Sequence, residues 1–301
     1  MQIEPYTHVT PVLSSELINT IFKSELFFKC ENFQKAGSFK SRGAVNAILS
    51  LDKKMLDHGV ATHSSGNFAQ ALARAASILN IPSYIVMPEN APQVKVDAVI
   101  GYGGEVTFCT PTLADRERTL TEVIGRTGAT EIHPYDNYDI IAGQGTATLE
   151  LLNQIDNIDM ILCPVGGGGL ISGTALAASY FGKNITVVAC EPLGADDAYR
   201  SFKAGEIIPS VNPQTLADGL LTSLGERNFP IIKNYVDNIV TVSEESIIKA
   251  MKLVYERMKI IIEPSSAVTL ASIIENKVDV TNKRVGLIIS GGNVDLKKIP
   301  F

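Results

Sequence analysis

The stretch PVGGGGLISG, residues 164–173, places four consecutive glycines between an apolar run and a segment with the composition of a helix. Glycine lets the backbone approach a ligand closely, and the first turn of a helix offers amide N–H groups that have no partner inside the helix. The pattern therefore predicts a cradle for a phosphate group. It is not the dinucleotide pattern GxGxxG, because Ile171 or Ser172 occupies the last position, and it is not a Walker A loop, because no Gly-Lys-Ser/Thr follows. The alternative is a tight turn that lets the helix pack closely.

On both sides of this glycine run, short apolar or β-branched runs alternate with amphipathic stretches. Such alternation predicts parallel strands joined by right-handed helical crossovers, and the nearly continuous apolar runs are typical of strands covered on both faces. We predict an α/β fold with two open, mostly parallel twisted sheets flanked by helices. A small domain, residues 59–136, is predicted to be inserted into a large one formed by residues 1–58 and 137–301. Strands are predicted at 25–30, 60–64, 83–88, 105–109, 130–135, 160–166, 185–191, 238–243 and 284–290, and helices near 40–52, 68–79, 93–102, 113–126, 171–181, 196–205 and 244–258.

The composition excludes several classes of protein. The 301 residues carry 26 Lys+Arg against 32 Asp+Glu, a net charge of −6, which argues against a nucleic-acid partner or an anionic membrane surface. No apolar run approaches the roughly 20 residues that span a bilayer, and the acidic, proline-containing N-terminus does not resemble a signal peptide. We therefore expect a cytoplasmic protein. The four widely spaced cysteines predict buried, reduced thiols and no zinc site.

Polar or glycine-rich segments follow the predicted strands, at the end where open α/β sheets bind ligands. These segments are Gly37–Lys40, Ser64–Asn67, Gly166–Gly169, Glu191–Asp197 and Ser290–Asn293. A lysine in an apolar, cation-flanked setting can lose its proton and attack a carbonyl, so Lys40 in AGSFKSRGA is a candidate nucleophile. Taken singly, each segment has a plainer interpretation: a solvated lysine, a helix N-cap at SSGN (64–67), and a turn at SGGN (290–293).

Taken in order, FKSRGA, SSGN, the four-glycine loop and SGGN resemble the fold-type II (tryptophan-synthase-β-like) pyridoxal-phosphate enzymes over nearly the whole chain. The segments 191–202, 216–226 and 255–265 resemble the branch that contains serine racemase and the serine/threonine dehydratases. The resemblance implies pyridoxal 5'-phosphate as cofactor, an amino acid as substrate and a homodimer. Because the sequence ends soon after SGGN, we expect no C-terminal regulatory domain of the kind that biosynthetic threonine deaminases carry.

The resemblance also implies roles for single residues. Lys40 would hold the cofactor and then remove the substrate Cα proton, while Phe39 would pack beside the cofactor ring. Asn67 would donate to the ring hydroxyl, and Gly166, Gly167, Gly168 and Gly169 would bind the phosphate. Ser290 would face the pyridine nitrogen, where a neutral hydroxyl favours elimination over transamination.

Further positions concern substrate and metal. Ser65 lies where racemases of this family keep a second acid/base, and Ser64, Asn67 and Phe68 join it in the predicted substrate site. Arg116 and His63 are candidates for binding a second carboxylate, which would favour 3-hydroxyaspartate; a solvated helix charge is the alternative for Arg116. Glu191, Asp197 and the carbonyl of Ala195 match a divalent-cation site suited to Mg²⁺ or Ca²⁺, the alternative being a favourable helix start.

One residue departs from the family pattern. The motif is usually SSGNH, and Phe68 replaces the histidine. Phe68 either packs into the core or alters the substrate preference, and the sequence leaves both interpretations open.

These observations predict a lyase that removes water from L-serine, L-threonine or 3-hydroxyaspartate to give a 2-oxo acid and ammonia. The alternative is an amino-acid racemase in which Lys40 and Ser65 act on opposite faces of the substrate. Two other classes stay open: a nucleotide-binding α/β protein without pyridoxal phosphate, and a non-catalytic binding protein. Sequence alone does not rank serine, threonine and hydroxyaspartate, because side-chain selectivity rests on contacts worth about 1–3 kcal/mol each.

Overall fold

The computed structural model describes residues 1–301, which form ten strands and twelve α-helices. The strands are β1 Val12–Leu13, β2 Glu25–Cys30, β3 Val60–His63, β4 Ser83–Pro88, β5 Glu105–Cys109, β6 Thr130–Glu131, β7 Met160–Pro164, β8 Thr186–Pro192, β9 Asn238–Val242 and β10 Arg284–Ile289. The helices are α1 Glu16–Phe22, α2 Lys40–Leu49, α3 Lys53–Leu56, α4 Asn67–Ile78, α5 Gln93–Gly101, α6 Leu113–Thr127, α7 Tyr138–Gln154, α8 Gly169–Phe181, α9 Asp197–Ala204, α10 Asn228–Tyr235, α11 Glu244–Met258 and α12 Pro264–Ile274.

The strands form two sheets, as predicted. The six-stranded sheet has the order β1-β2-β10-β7-β8-β9, and the four-stranded sheet has the order β5-β4-β3-β6. Every pairing is parallel except that of β1 with β2. The smaller sheet comes entirely from the chain between β2 and β7, which confirms the predicted fold class. The domain boundaries stay a prediction, and Ala44 and Ile48 of α2 share a hydrophobic core with Leu72 of α4 and Ile85 of β4.

The strand predicted at 130–135 is wrong beyond Glu131. Pro134 has no amide to donate to a neighbouring strand. His133 Nδ1 instead accepts hydrogen bonds from the amides of Tyr135 at 3.3 Å and Asp136 at 2.8 Å. The chain therefore turns immediately after β6, and Asn137 then caps α7 through the amides of Asp139 and Ile140.

Helices α1, α3, α7, α10 and α12 are additions to the prediction. The 17 residues of α7 include the glycines of AGQGT (142–146), which hide the helical pattern because they carry no side chain. Those glycines serve close packing. A Cβ atom on Gly143 would lie 2.6 Å from Cα of Gly43 in α2, and one on Gly173 in α8 would lie 2.5 Å from the amide nitrogen of Gly145. Helix α7 thus holds α2 on one side and α8 on the other.

Two predictions of a general kind can be compared with the structure. No helix has both the length and the apolar character needed to cross a membrane. Cys30, Cys109, Cys163 and Cys190 are all buried and unpaired, as predicted. Burial raises the pKa of the Cys30 and Cys190 thiols to about 12, so both stay protonated at neutral pH.

Candidate active site

One pocket lies at the carboxyl ends of β3, β7 and β10, where the N-termini of α2, α4 and α8 converge. The first residue of α2 is Lys40, α4 begins at Asn67 and α8 begins at Gly169. The structure brings all the residues predicted for catalysis, cofactor and substrate to this pocket. They are Phe39, Lys40, His63, Ser64, Ser65, Asn67, Phe68, Arg116, Gly166, Gly167, Gly168, Gly169 and Ser290. The three residues predicted to bind metal lie elsewhere.

Lys40 lies between two aromatic rings. Its Nζ is 5.1 Å from the centre of the Phe39 ring and 5.7 Å from that of Phe68. The amine donates one hydrogen bond, 2.9 Å long, to the carbonyl of Pro134. Desolvation lowers the pKa of Lys40 to about 8, against a smaller opposing effect of the Glu263 charge. A substantial fraction of the amine is therefore neutral near physiological pH, as a nucleophile or base requires.

The glycine loop presents free amides at the start of α8. The amides of Gly166, Gly167, Gly168 and Gly169 donate no hydrogen bond to the rest of the chain. Gly168 has a φ of 98°, a backbone conformation that residues other than glycine rarely adopt. A Cβ on Gly167 would lie 2.4 Å from the Tyr135 ring, so close packing requires glycine as well. The loop therefore has both predicted properties: free amides that suit an anion, and a tight turn that allows close packing.

Asn67 is held from both ends of its amide. Its Nδ2 donates to the two carboxylate oxygens of Glu263 at 2.9 and 3.0 Å, and its Oδ1 accepts from Asn293 Nδ2 at 3.0 Å. Asn293 in turn donates to the carbonyl of Ala36. Glu263 is 2% exposed, and burial together with the Asp218 charge raises its pKa to about 7. The Asn67 side chain is therefore fixed in one orientation inside the pocket.

Ser290 directly follows β10, and its hydroxyl group lies within hydrogen-bond distance of a second serine. Its Oγ is 3.0 Å from Ser266 Oγ, and Ser266 Oγ also donates to the carbonyl of Gly291 and accepts from its amide, both at 2.8 Å. Ser290 is 3% exposed. The hydrogen-bond partners in this pair of serines are hydroxyl and backbone groups, so no carboxylate is hydrogen-bonded to Ser290.

A positively charged group without a partner faces the pocket on α6. Arg116 forms no ion pair, and its buried Nε has no hydrogen-bond partner. His63 is nearby, with its pKa lowered by burial and by the Arg116 charge despite the opposing Glu117 carboxylate. Its ring lies edge-on to His133, with ring centres 6.2 Å apart, and burial lowers the pKa of His133 to about 4. Both rings are neutral at physiological pH, which leaves Arg116 as the cation of this group.

Sequence reasoning missed several residues of the pocket, namely Lys95, Tyr135, Asp218, Thr222 and Glu263. Lys95 Nζ lies 2.5 Å from Asp218 Oδ2. This ion pair joins α5, beside the small sheet, to the segment that precedes α10. A signal existed for three of the five, because Asp218 and Thr222 lie in the segment 216–226 and Glu263 lies in 255–265, which carried the family resemblance. Lys95 and Tyr135 had no such signal.

The predicted metal residues form a separate buried group at the end of β8. The Glu191 carboxylate accepts hydrogen bonds from the amides of Ala198 and Tyr199, each 2.9 Å long. Both carboxylate oxygens of Asp197 are buried and have no partner. Burial raises the pKa of Glu191 to about 9 and that of Asp197 to about 6. No three acidic, histidine or cysteine side chains are placed so that together they could hold a metal ion, so a cation here would also need backbone carbonyls, such as that of Ala195, and water.

A family sequence model, curated relatives and solved structures all relate this chain to the same group of proteins. A sequence model of the family described as pyridoxal-phosphate dependent enzyme matches residues 3–291. The serine racemase of Dictyostelium discoideum is 55% identical over 99% of this chain and 93% of its own length, and a β-hydroxyaspartate dehydratase of Paracoccus denitrificans is 49% identical over 100% and 95%. The structure of maize serine racemase superposes with a TM-score of 0.96 at 46% identity, covering 98% of this chain and 91% of the maize chain. With Lys40, the glycine loop and Ser290 in one pocket and a family match over nearly the whole length, the chain belongs to the pyridoxal-phosphate dependent enzyme family.

Proposed function

We propose that this protein is an ammonia-lyase that acts on a 3-hydroxy amino acid with a second carboxylate, 3-hydroxyaspartate, and less well on serine and threonine. The observation that carries the choice of substrate is Arg116, a pocket cation with no ion-pair partner and a buried Nε without an acceptor. A buried polar group left unpaired is unfavourable, so a substrate carboxylate at this position stabilises the complex. The β-hydroxyaspartate dehydratase relative of Paracoccus denitrificans supports the same choice.

The pocket fits pyridoxal 5'-phosphate on its own geometry. Four amides without acceptors at the start of a 13-residue helix suit a phosphate, and Lys40 presents an amine for an aldehyde. Phe39, Asn67 and Ser290 would hold the ring. Bound there, the cofactor supplies an electron sink for the pair released at the substrate Cα.

The chain's own residues supply the proton transfers. In its neutral form the Lys40 amine takes the Cα proton, and the carbonyl of Pro134 orients that amine. Departure of the β-hydroxyl with a proton removes one water molecule, and hydrolysis of the resulting enamine consumes one. The net products are a 2-oxo acid and ammonia. Ser64, Ser65 and Asn67, at the N-terminus of α4, would receive the α-carboxylate that every amino-acid substrate carries.

The test is a panel of 3-hydroxy amino acids assayed for 2-oxo acid with the enzyme loaded with cofactor. We expect the largest kcat/KM for 3-hydroxyaspartate. Arg116→Leu should lower that value by about 100-fold, the loss expected for one charged hydrogen-bond pair, while changing serine turnover little. Arg118→Leu, two residues along the same helix and 63% exposed at its side chain, is the matched control and should match the parent enzyme. Equal losses for both substrates in Arg116→Leu would contradict the assignment.

Racemisation is the second candidate, favoured by the presence of Ser65 and Lys40 in the same pocket and by the Dictyostelium serine racemase relative. A racemase needs an acid/base group on each face of the substrate. Chiral analysis of serine recovered after incubation with L-serine measures this activity directly. D-serine formed faster than pyruvate, and lost in Ser65→Ala, would establish racemisation as the main reaction.

We also propose a divalent cation at Glu191, Ala195 and Asp197. Two buried carboxylates, one with neither oxygen hydrogen-bonded, are the support, because Mg²⁺ or Ca²⁺ would neutralise their charge with hard oxygen ligands. We expect EDTA to lower the melting temperature of the parent protein and to leave Asp197→Asn unaffected. Equal melting temperatures of the parent with and without EDTA would exclude the site. A homodimer and a cytoplasmic location are further proposals, the first of which sedimentation measures directly.

A further inference from the structure

The amine of Lys40 has aromatic, apolar surface on two sides. Phe39 precedes it at the start of α2, and Phe68 reaches it from the second residue of α4, so the two rings come from different helices. Phe68 is 2% exposed and packs with Leu72 and Ile85 in the core beside the small sheet. Its ring is therefore fixed by packing, at 5.7 Å from Lys40 Nζ.

The hydrogen bonds of Lys40 do not suit an ammonium group. An ammonium has three donors, and the structure gives this nitrogen one acceptor, the Pro134 carbonyl. No carboxylate lies within ion-pair distance of it. The ring faces attract a cation, but they offer neither hydrogen-bond acceptors nor water. A neutral amine needs less solvation, and its lone pair stays available.

The other charged groups around the Lys40 amine do not form an ion pair with it. Glu263 acts on Lys40 only through its charge and raises the pKa of the amine, while Lys40 in turn lowers the pKa of His133. The remaining charged or titratable side chains that line the pocket are His63, Lys95, Arg116, Tyr135 and Asp218. Asp218 is paired with Lys95, so its carboxylate is not an ion-pair partner of Lys40.

We propose that Phe68 is a positioning residue for Lys40: with Phe39 it forms an apolar slot that holds the amine on two sides, without a counter-ion and without hydrogen-bonding side chains. This role for Phe68 rests on the proposed function in one respect: the measurement of turnover requires the lyase activity, whereas the measurement of the Lys40 pKa does not. It also gives the replacement of the family histidine a role at the reacting lysine as well as in the core.

The test measures the pKa of Lys40 directly in the full-length chain freed of cofactor. Competitive acetylation across a pH series from about 6 to 11 brackets the ordinary lysine value, and mass spectrometry of the Lys40 peptide gives the labelled fraction. We expect about 8 for the parent protein. Phe68→Leu, which keeps the slot apolar, should stay close to that value. Phe68→His and Phe68→Gln, which bring hydrogen-bonding groups and water, should raise the pKa of Lys40 by about one pH unit.

The cofactor-loaded enzymes give the second measurement. The acidic limb of the kcat profile should move to higher pH in Phe68→His and stay in place in Phe68→Leu, because the base must be neutral to act. An unchanged Lys40 pKa in Phe68→His, or equal shifts in all three variants, would overturn the slot. Thermal unfolding checks that each variant is folded. If the parent protein formed no 2-oxo acid from any 3-hydroxy amino acid, the proposed function would be wrong. The labelling experiment would still show whether Phe68 controls the pKa of Lys40.

Discussion

Replacing Gly143 by alanine tests how the fold positions Lys40 relative to the glycine loop. Helix α7 touches α2 at Gly43 and α8 at Gly173, and those two helices begin at Lys40 and at Gly169. A Cβ on Gly143 would lie 2.6 Å from Cα of Gly43 and 2.7 Å from the carbonyl oxygen of Arg42. The nearest atoms belong to backbone, so no side-chain rotation relieves the contact. The contact is about 0.8 Å too short for ordinary packing, and α2 must withdraw from α7.

Overpacking of this kind costs about 1–3 kcal/mol, and the better helix propensity of alanine offsets about 1 kcal/mol. We expect a net loss of up to about 2 kcal/mol, seen as a melting temperature lower by up to a few degrees. Since misplacing a reacting group by 1 Å can cost about 100-fold, kcat/KM should fall by at least about 10-fold. Gly125→Ala is the control: Gly125 is exposed in α6, nothing lies within 4 Å of its Cβ position, and the variant should gain about 0.5–1 kcal/mol. If Gly143→Ala were as stable and as active as Gly125→Ala, the positioning role of α7 would be refuted.

Two further predictions concern pocket carboxylates. Breaking the Lys95–Asp218 pair by Lys95→Asp or Asp218→Lys should raise KM, because the pair joins a helix beside the small sheet to the pocket segment that precedes α10. The double reversal should recover most of the loss. If the double variant were worse than either single variant, the pair would have no such role. Since burial raises the pKa of Glu263 to about 7, its contribution is fully present below the ordinary glutamate value and is lost as pH rises toward 7. The cofactor-free protein should therefore lose melting temperature between about pH 5 and 8, and Glu263→Gln should show a smaller loss over the same range.

The parallel strands and most of the helices follow from the sequence because each carries its own local pattern. The strands at 25–30, 83–88 and 105–109 agree with the structure to the residue, since short runs rich in β-branched and aromatic residues and bounded by turn residues favour a strand over a helix. Helix α7 was missed for a physical reason: its contacts are backbone to backbone at Gly143 and Gly145, and such packing leaves no hydrophobic periodicity to detect. The end of β6 at Glu131 depends on Pro134 and on local hydrogen bonds that His133 accepts from the amides of Tyr135 and Asp136, and the β-branched pattern of the segment does not reveal this turn.

The candidate site divides in the same way. Residues that act through the backbone or in short motifs, such as the glycine loop and Ser290, are recognisable from the sequence because their neighbours along the chain define them. Lys95 and Glu263 act through partners 123 and 196 residues away, Asp218 and Asn67, and such long-range pairs carry no local pattern. The position of Phe68 against Lys40 is of the second kind, although its replacement of histidine was visible as a departure from the motif.

The charges of the pocket then restrict the substrate more than the net charge of −6 suggests. Of the three cations that line it, Lys95 is neutralised by Asp218, and Lys40 is held where the neutral amine is favoured. Arg116 alone keeps a full charge without a partner. The α-carboxylate of an amino acid can be received by amides at the N-terminus of α4 and the cofactor phosphate by those of α8, so neither requires that arginine. One uncompensated cation therefore remains for one further anion, and this count favours a dicarboxylic 3-hydroxy amino acid over serine or threonine.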